Sequence, residues 1–175
     1  MKIIRTITEK DFDRQETADK WSGYKIRPSA RAILLDEDSK IALMHVVNDN
    51  YYKLPGGGVD EGDGMKTALA RELREEVGAS DIEILAEVGQ IDEYRDRMDR
   101  KSEHYCFVAK LSGPIVESMR TKEEIEGGYK TIWAKDIDEA IMLVESGVPE
   151  HYGQDFERLR ELTFLKYAKS SNLVN

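Results

Sequence analysis

The chain has 175 residues, of which 40% are hydrophobic and 35% are charged, and this composition is typical of one soluble globular domain. The net charge of −9 argues against a protein that coats nucleic acid or binds an anionic membrane, because both partners require a basic surface. A single cysteine, Cys106, excludes an internal disulfide and a four-cysteine zinc site. No apolar run approaches the ~20 residues that cross a bilayer, and 1–6 lack a signal-peptide core. We therefore expect a cytoplasmic protein.

The first half of the chain predicts an arm, a hairpin and a helix. Residues 1–25 are mostly polar and are predicted to form a partly helical N-terminal arm. Two apolar runs, 32–35 and 41–47, flank an acidic cluster, and this pattern is typical of a β-hairpin. Pro55 and the three glycines after it interrupt regular structure, and a helix is predicted over 63–77.

The second half predicts further strands and two more helices. Strands are expected over 82–91, 104–111 and 129–133, and helices over 136–144 and 155–167. Because strands and helices do not alternate regularly, the order favours an α/β fold with a mixed sheet and helices on its faces.

The predicted helix over 63–77 carries a cluster of carboxylates. Glu72 and Glu76 are four residues apart and therefore lie on one face, with Glu75 beside them and an apolar stripe next to all three. Such a cluster is unfavourable alone, because like charges repel and the C-terminal end of a helix is itself negative. A magnesium ion would offset both effects. The alternative is a solvated acidic face.

A glycine loop precedes this helix. The run Gly56 to Gly58 allows backbone conformations with positive φ, so a carbonyl can face the carboxylates or amides can face a phosphate. No Gly-Lys-Ser/Thr follows, which excludes a Walker loop, and the spacing does not match a dinucleotide-binding fingerprint. A simple flexible turn is the alternative.

Together, loop and helix resemble the Nudix box, which is Gly, five residues, Glu, seven residues, then Arg-Glu-apolar-x-Glu-Glu-x-Gly-apolar. The matching residues here are Gly57, Arg71, Glu72, Leu73, Glu75, Glu76 and Gly78. Two positions depart from the pattern: Asp63 replaces its first Glu, and Ala79 is smaller than the usual last residue.

From the apolar face of the last predicted helix, we expect 147–175 to add a C-terminal helix packed on the domain. The resemblance implies a Nudix-type α/β/α sandwich over 26–146. It implies a hydrolase that cleaves a pyrophosphate bond with Mg²⁺ or Mn²⁺. By position, the metal ligands are Glu72, Glu75, Glu76 and the Gly56 carbonyl, and Arg71 orients the glutamates. The base that activates water is Glu75 or Glu72, or a glutamate of a later loop, where the candidates are Glu123, Glu124 and Glu126.

Substrate recognition is less constrained by the sequence. Arg31 and Lys53, together with Gly57 and Gly58, are expected to contact phosphates, and Arg27 is a further candidate. Tyr51, Tyr52, Tyr94 and Trp133 either stack on a base or pack in the core. A nucleoside triphosphate, including oxidised forms, is favoured over ADP-ribose, other nucleotide sugars and dinucleoside polyphosphates. A non-catalytic nucleotide sensor is the alternative function.

The remaining signals are weaker. No nucleic-acid polymer or membrane is expected as a partner, and the apolar face of the last helix is compatible with a homodimer. His45, His104 and His151 have no metal-ligand spacing and are expected to be ordinary core or surface residues. Cys106 lies in an apolar run and is expected to be a buried, inert thiol.

Overall fold

The computed structural model describes residues 1–174, apart from the side chain of Ala18. Within these residues the strands are β1 (Ile3–Ile7), β2 (Lys25–Leu35), β3 (Ile41–Val46), β4 (Tyr51–Lys53), β5 (Gly56–Gly58), β6 (Ile82–Arg95), β7 (Arg100–Leu111) and β8 (Tyr129–Ala134). The α-helices are α1 (Met65–Glu76), α2 (Lys122–Glu126), α3 (Ile137–Ser146) and α4 (Tyr152–Ser170).

All of these strands join one mixed sheet. The main order is β1-β6-β7-β2-β3-β4, with β5 paired to β2 and β8 paired to β3. The pairs β1–β6 and β2–β7 are parallel, whereas the other pairs are antiparallel. The predicted mixed sheet is therefore confirmed.

Helices cover both faces of the sheet. On one face, Leu69 and Leu73 of α1 are fully buried against Ala32 and Leu34 of β2. On the other face, α3 and α4 pack on a second apolar cluster that contains Ile33, Cys106, Val108, Phe156 and Phe164. This arrangement is the expected α/β/α sandwich.

Several element boundaries differ from the prediction. Strand β6 continues to Arg95 and β7 begins at Arg100, so each is four residues longer than predicted. The added residues are mostly charged or polar, and three of them, Arg95, Arg100 and Ser102, line a cavity. The sequence therefore shows no hydrophobic alternation there. The last helix is also longer at both ends, Tyr152–Ser170 instead of 155–167.

The prediction of a partly helical N-terminal arm missed one element, because the arm contains strand β1. Strand β1 pairs in parallel with β6 at the edge of the sheet. Two short 3₁₀ segments follow, and Asp96 holds the second one by accepting hydrogen bonds from the Trp21 indole and the Tyr24 hydroxyl, both 3.0 Å long. The domain division at 25 and 146 stays a prediction. Among the described residues, no helix has the length and apolar character needed to span a membrane.

Candidate active site

One cavity of about 290 Å³ lies where α1, α2, α4 and the sheet meet at the glycine strand β5. Its walls combine acidic and basic side chains. The carboxylates are Glu72, Glu76, Glu124 and Glu157; the cations are Arg27, Arg31, Lys53, Arg95, Arg100 and Arg160; and Gly56 to Gly58, Ser29, Ser102 and His104 complete the lining.

Glu76 is the most buried carboxylate of this wall, with 3% of the residue exposed. Its Oε2 accepts a 2.6 Å hydrogen bond from the Gly56 amide, and its Oε1 lies 3.7 Å from the Lys53 ammonium. Burial raises the pKa of Glu76, although Lys53 and Arg31 oppose this shift. A buried carboxylate of this kind is favoured by a nearby cation.

Glu72 lies against Gly57, where any β-carbon would overlap its carboxylate. Position 57 therefore requires glycine, because any side chain there would displace the Glu72 carboxylate. The Arg71 guanidinium forms an ion pair with the Glu72 carboxylate at 2.8 Å and lies 3.5 Å from the Glu75 carboxylate. Burial raises the pKa of Glu72, and the charge of Arg71 opposes it. Arg71 also donates to the Gly58 carbonyl over 3.3 Å, so it links the helix to the glycine strand.

The donor set fits a hard divalent cation, because Glu72, Glu75, Glu76 and the Gly56 carbonyl offer only oxygen atoms. Gly57 supplies the space in which the Glu72 carboxylate lies. In residues 1–174, however, no three acidic, histidine or cysteine side chains converge closely enough to hold one ion. Arg71 pairs with Glu72 and Glu75, and Arg31 donates to the Gly56 carbonyl. An ion at this place therefore competes with two arginines for the same oxygens.

Of the three glutamates considered on the later loop, the structure brings Glu124 to the cavity. Its Oε2 accepts a 2.7 Å hydrogen bond from the Thr121 amide, which fixes the side chain at the start of α2. Glu123 and Glu126 are exposed. Asp63 is also exposed, in the turn that precedes α1.

The six cations form a basic wall of the cavity, and the sequence analysis named Arg27, Arg31 and Lys53 but missed Arg95, Arg100 and Arg160. Arg27, Ser29 and Arg31 alternate along β2, and Arg100, Ser102 and His104 alternate along β7, so both sets lie on the same face of the sheet. Glu157 and Arg160 reach the cavity from α4. One sequence pattern could have identified the residues on these strands: polar side chains recur at every second position, where a search for strands looks for apolar ones.

A buried ionic network supports this wall. Glu93 is fully buried and lies 2.9 Å from Arg160, 2.7 Å from Arg95 and 3.2 Å from His104. Burial opposes ionisation of Glu93, but the charges of Arg160 and Arg95 outweigh it and hold its pKa well below the usual range. Burial lowers the pKa of His104 to about 4, so the imidazole is neutral near pH 7.

His104 is therefore not the ordinary core or surface residue that we expected, because it belongs to both the network and the cavity. The side chain of Ser29 also contacts its Nδ1. Cys106 is buried as expected, and burial raises the pKa of its thiol well above the usual value.

The aromatic candidates lie outside the cavity lining in the described part of the chain. Tyr94 stacks on Trp21 with 4.0 Å between ring centroids, and Tyr52 stacks on His45 at 4.3 Å. Trp133 packs against the apolar cluster below α1. Internal packing thus accounts for these three rings.

Comparison with known proteins adds to this geometry. The NUDIX domain family model matches residues 25–135. An RNA pyrophosphohydrolase from Campylobacter jejuni subsp. doylei is 31% identical over 129 residues, covering 66% of this chain and 82% of the relative. An RNA pyrophosphohydrolase from Nitratiruptor sp. is 33% identical over 128 residues, covering 65% of this chain and 81% of the relative.

Solved structures share the fold at low sequence identity. A C. elegans Ap4A hydrolase superposes with a TM-score of 0.57 at 13% identity, covering 84% of this chain and 98% of the other. The MutT protein of Methanosarcina mazei Go1 gives 0.55 at 17% identity, covering 85% and 96%. With the box from Gly57 to Ala79 placed on β5 and α1, and with the family model matching most of the chain, this protein belongs to the Nudix hydrolase family.

Proposed function

We propose that the chain is a cytoplasmic hydrolase that uses Mg²⁺ or Mn²⁺ to cleave the pyrophosphate bond of a nucleotide substrate. The observation that carries this proposal is the composition of one cavity, in which Glu72 and Glu76 face a wall of arginines. Carboxylates can hold a cation, and arginines bind phosphate oxygens in bidentate geometry. A cavity with both is suited to a phosphoric anhydride.

Each residue of the box has a role in this proposal. Glu72, Glu75, Glu76 and the Gly56 carbonyl would hold the ion, which when bound would polarise phosphoryl oxygens and make water a better nucleophile. Arg71 positions Glu72 and Glu75 through the ion pairs of 2.8 and 3.5 Å. Both carboxylates therefore start from a defined rotamer.

We assign the proton acceptor for the attacking water to Glu124. It lines the cavity and, within residues 1–174, makes no ion pair, whereas Glu72 is paired with Arg71 and Glu76 faces Lys53. An unpaired carboxylate accepts a proton more readily than one held by a cation. Glu157 also lines the cavity and makes no ion pair within residues 1–174, so it is the second candidate.

For the substrate, we favour a nucleoside triphosphate whose phosphates contact Arg31, Lys53 and the backbone of Gly57 and Gly58. All four residues line the cavity. The relatives named RNA pyrophosphohydrolase support a second candidate, the phosphorylated 5′ end of an RNA, which the net charge of −9 had led us not to expect. ADP-ribose and dinucleoside polyphosphates remain as comparison substrates.

The test is release of phosphate or pyrophosphate from four substrates: a nucleoside triphosphate, ADP-ribose, a dinucleoside tetraphosphate and a 5′-triphosphorylated RNA. Each is assayed with Mg²⁺, with Mn²⁺ and with chelator. We expect metal-dependent release that is greatest with a triphosphate end. Saturable nucleotide binding without release from any substrate would reject the enzyme and support the sensor.

A further inference from the structure

Three arginines of the cavity have no carboxylate partner in the described residues; Arg31 donates to the Gly56 carbonyl, which leaves Arg27 and Arg100 as the two with no strong acceptor. Arg27 makes no ion pair there, and Arg100 donates one weak hydrogen bond, 3.5 Å long, to the sulfur of Met98. The Arg100 Nε is buried and has no acceptor among residues 1–174. A buried donor without an acceptor is costly, because it has lost its hydration and gained nothing in return.

The sheet places like charges next to these two residues. Arg100 lies directly opposite Arg95 in the antiparallel pair of β6 and β7. Arg27 pairs with Ser102 in the register of β2 and β7, so it lies one step diagonally from Arg100 on the same face. Like charges at such positions destabilise a sheet.

Nearby carboxylates compensate only part of this charge. Glu93 forms an ion pair with Arg95 at 2.7 Å, and Glu157 faces the same region from α4. Burial lowers the pKa of Arg100, and Arg95 and Arg27 lower it further, whereas Glu93 and Glu157 oppose the shift. The positive charge around Arg100 that remains uncompensated therefore favours the binding of an anion.

Arg27 and Arg100 lie where a substrate bound at the box could reach them. Arg27 and Arg100 line the same cavity as Glu72 and Glu76. The guanidinium of Arg27 lies beside Gly58, where a β-carbon would be 3.6 Å from its Nη2. Because Gly58 belongs to the box, this proximity places Arg27 next to the box within the same cavity.

We propose that Arg27 and Arg100 form a second anion site, which binds a third phosphate of the substrate, beyond the two joined by the bond that is cut. The site selects nucleotides that carry three or more phosphates over diphosphates linked to an uncharged sugar, because the latter place no charge there. That the anion belongs to a substrate rests on the proposed function, whereas the existence of the site does not.

Binding is tested first without catalysis. Inorganic triphosphate is titrated into the wild type, Arg27→Gln, Arg100→Gln and Arg74→Gln in chelator, by calorimetry. Arg74→Gln is the matched control, because Arg74 is exposed on α1 and its substitution removes the same charge outside the cavity. We expect each cavity variant to bind roughly tenfold more weakly, and Arg74→Gln to bind like the wild type. Equal affinity in all four folded proteins would overturn the site. Arg100→Lys, which keeps the charge, is expected to recover part of the affinity if Arg100→Gln loses stability.

Kinetics then assign the anion to the substrate. We expect Arg27→Gln and Arg100→Gln to raise KM for a nucleoside triphosphate roughly tenfold and to leave KM for ADP-ribose nearly unchanged. Weaker binding of inorganic triphosphate with an unchanged ratio of the two KM values would overturn the substrate assignment and identify a site for free anions. If no substrate turns over, the proposed function fails, and competition between a nucleoside triphosphate and inorganic triphosphate in the binding assay replaces the kinetic comparison.

Discussion

Glu76 accepts a hydrogen bond of 2.6 Å from the backbone amide of Gly56, and this bond joins the end of α1 to the glycine strand β5. The same turn of the helix is held from outside by Arg120, whose guanidinium donates to the Glu76 carbonyl over 2.8 and 3.1 Å. Glu76 is thus held through both its carboxylate and its backbone carbonyl. Fixed ligands favour catalysis, because the site needs little reorganisation during the reaction.

Gly57→Ala is expected to abolish most activity. Its new β-carbon would overlap the Glu72 carboxylate, which must then leave the site. We expect kcat/KM to fall by roughly 10²-fold and the free energy of unfolding to fall by about 1–3 kcal/mol. Gly23→Ala, where no atom lies within 4 Å, is the control and is expected to change neither value. A Gly57→Ala enzyme with wild-type turnover would show that Glu72 is not needed where the structure places it.

Asp63→Glu is expected to keep or raise activity. It restores the acid of the usual pattern, and Asp63 is exposed, so the extra methylene meets no packed neighbour. Steady-state turnover with Mg²⁺ measures the effect. Complete loss of metal-dependent turnover in this variant would show that the shorter acid is required.

The proton acceptor is identified by three matched variants. Glu124→Gln is expected to lower kcat by roughly 10²-fold or more, because it removes a general base, and to leave KM nearly unchanged. Glu123→Gln, one residue away and exposed, serves as the control. If Glu157→Gln lowers kcat instead and Glu124→Gln does not, the base is on α4.

His104 is expected to make the protein less stable in mild acid. Its pKa is about 4 in the folded protein and about 6.5 when unfolded, so the unfolded state binds the proton first as pH falls. The stabilisation present above pH 6.5 is therefore lost as pH falls toward 4, by about 2 kcal/mol between pH 7 and 5. Urea unfolding of the wild type and His104→Gln at pH 7, 6 and 5 measures this difference, with the exposed His151→Gln as control. The prediction fails if His104→Gln loses as much stability as the wild type over this range.

The sequence predicts the box and the core well, because both carry strong local patterns. The stripe of Leu69, Leu73 and Val77 is buried, and Glu72 and Glu76 line the cavity, as their spacing on one helix face predicts. These features depend on residues within about twenty positions of one another. Local geometry is therefore sufficient to derive them.

Half of the basic wall, Arg95, Arg100 and Arg160, could not be predicted in the same way, because four separate strands and α4 assemble this wall. Arg95 and Arg100 meet only through the pairing of β6 with β7, and Arg160 reaches Glu93 across 67 residues of chain. Strand β1 was missed for a similar reason, since its parallel partner is β6. Charged residues in strands carry no hydrophobic alternation, so only the folded sheet shows which of them face one cavity.

The most direct test of the metal-dependent mechanism is the turnover of Glu76→Gln beside wild type and Glu83→Gln, an exposed control. The amide keeps an oxygen that can accept from the Gly56 amide, so the fold is expected to survive, and the thermal midpoint checks this. With the best substrate and saturating Mg²⁺, the account predicts a loss of roughly 10²-fold or more in Glu76→Gln and none in Glu83→Gln. A folded Glu76→Gln protein with near-normal turnover would contradict the assignment of the site.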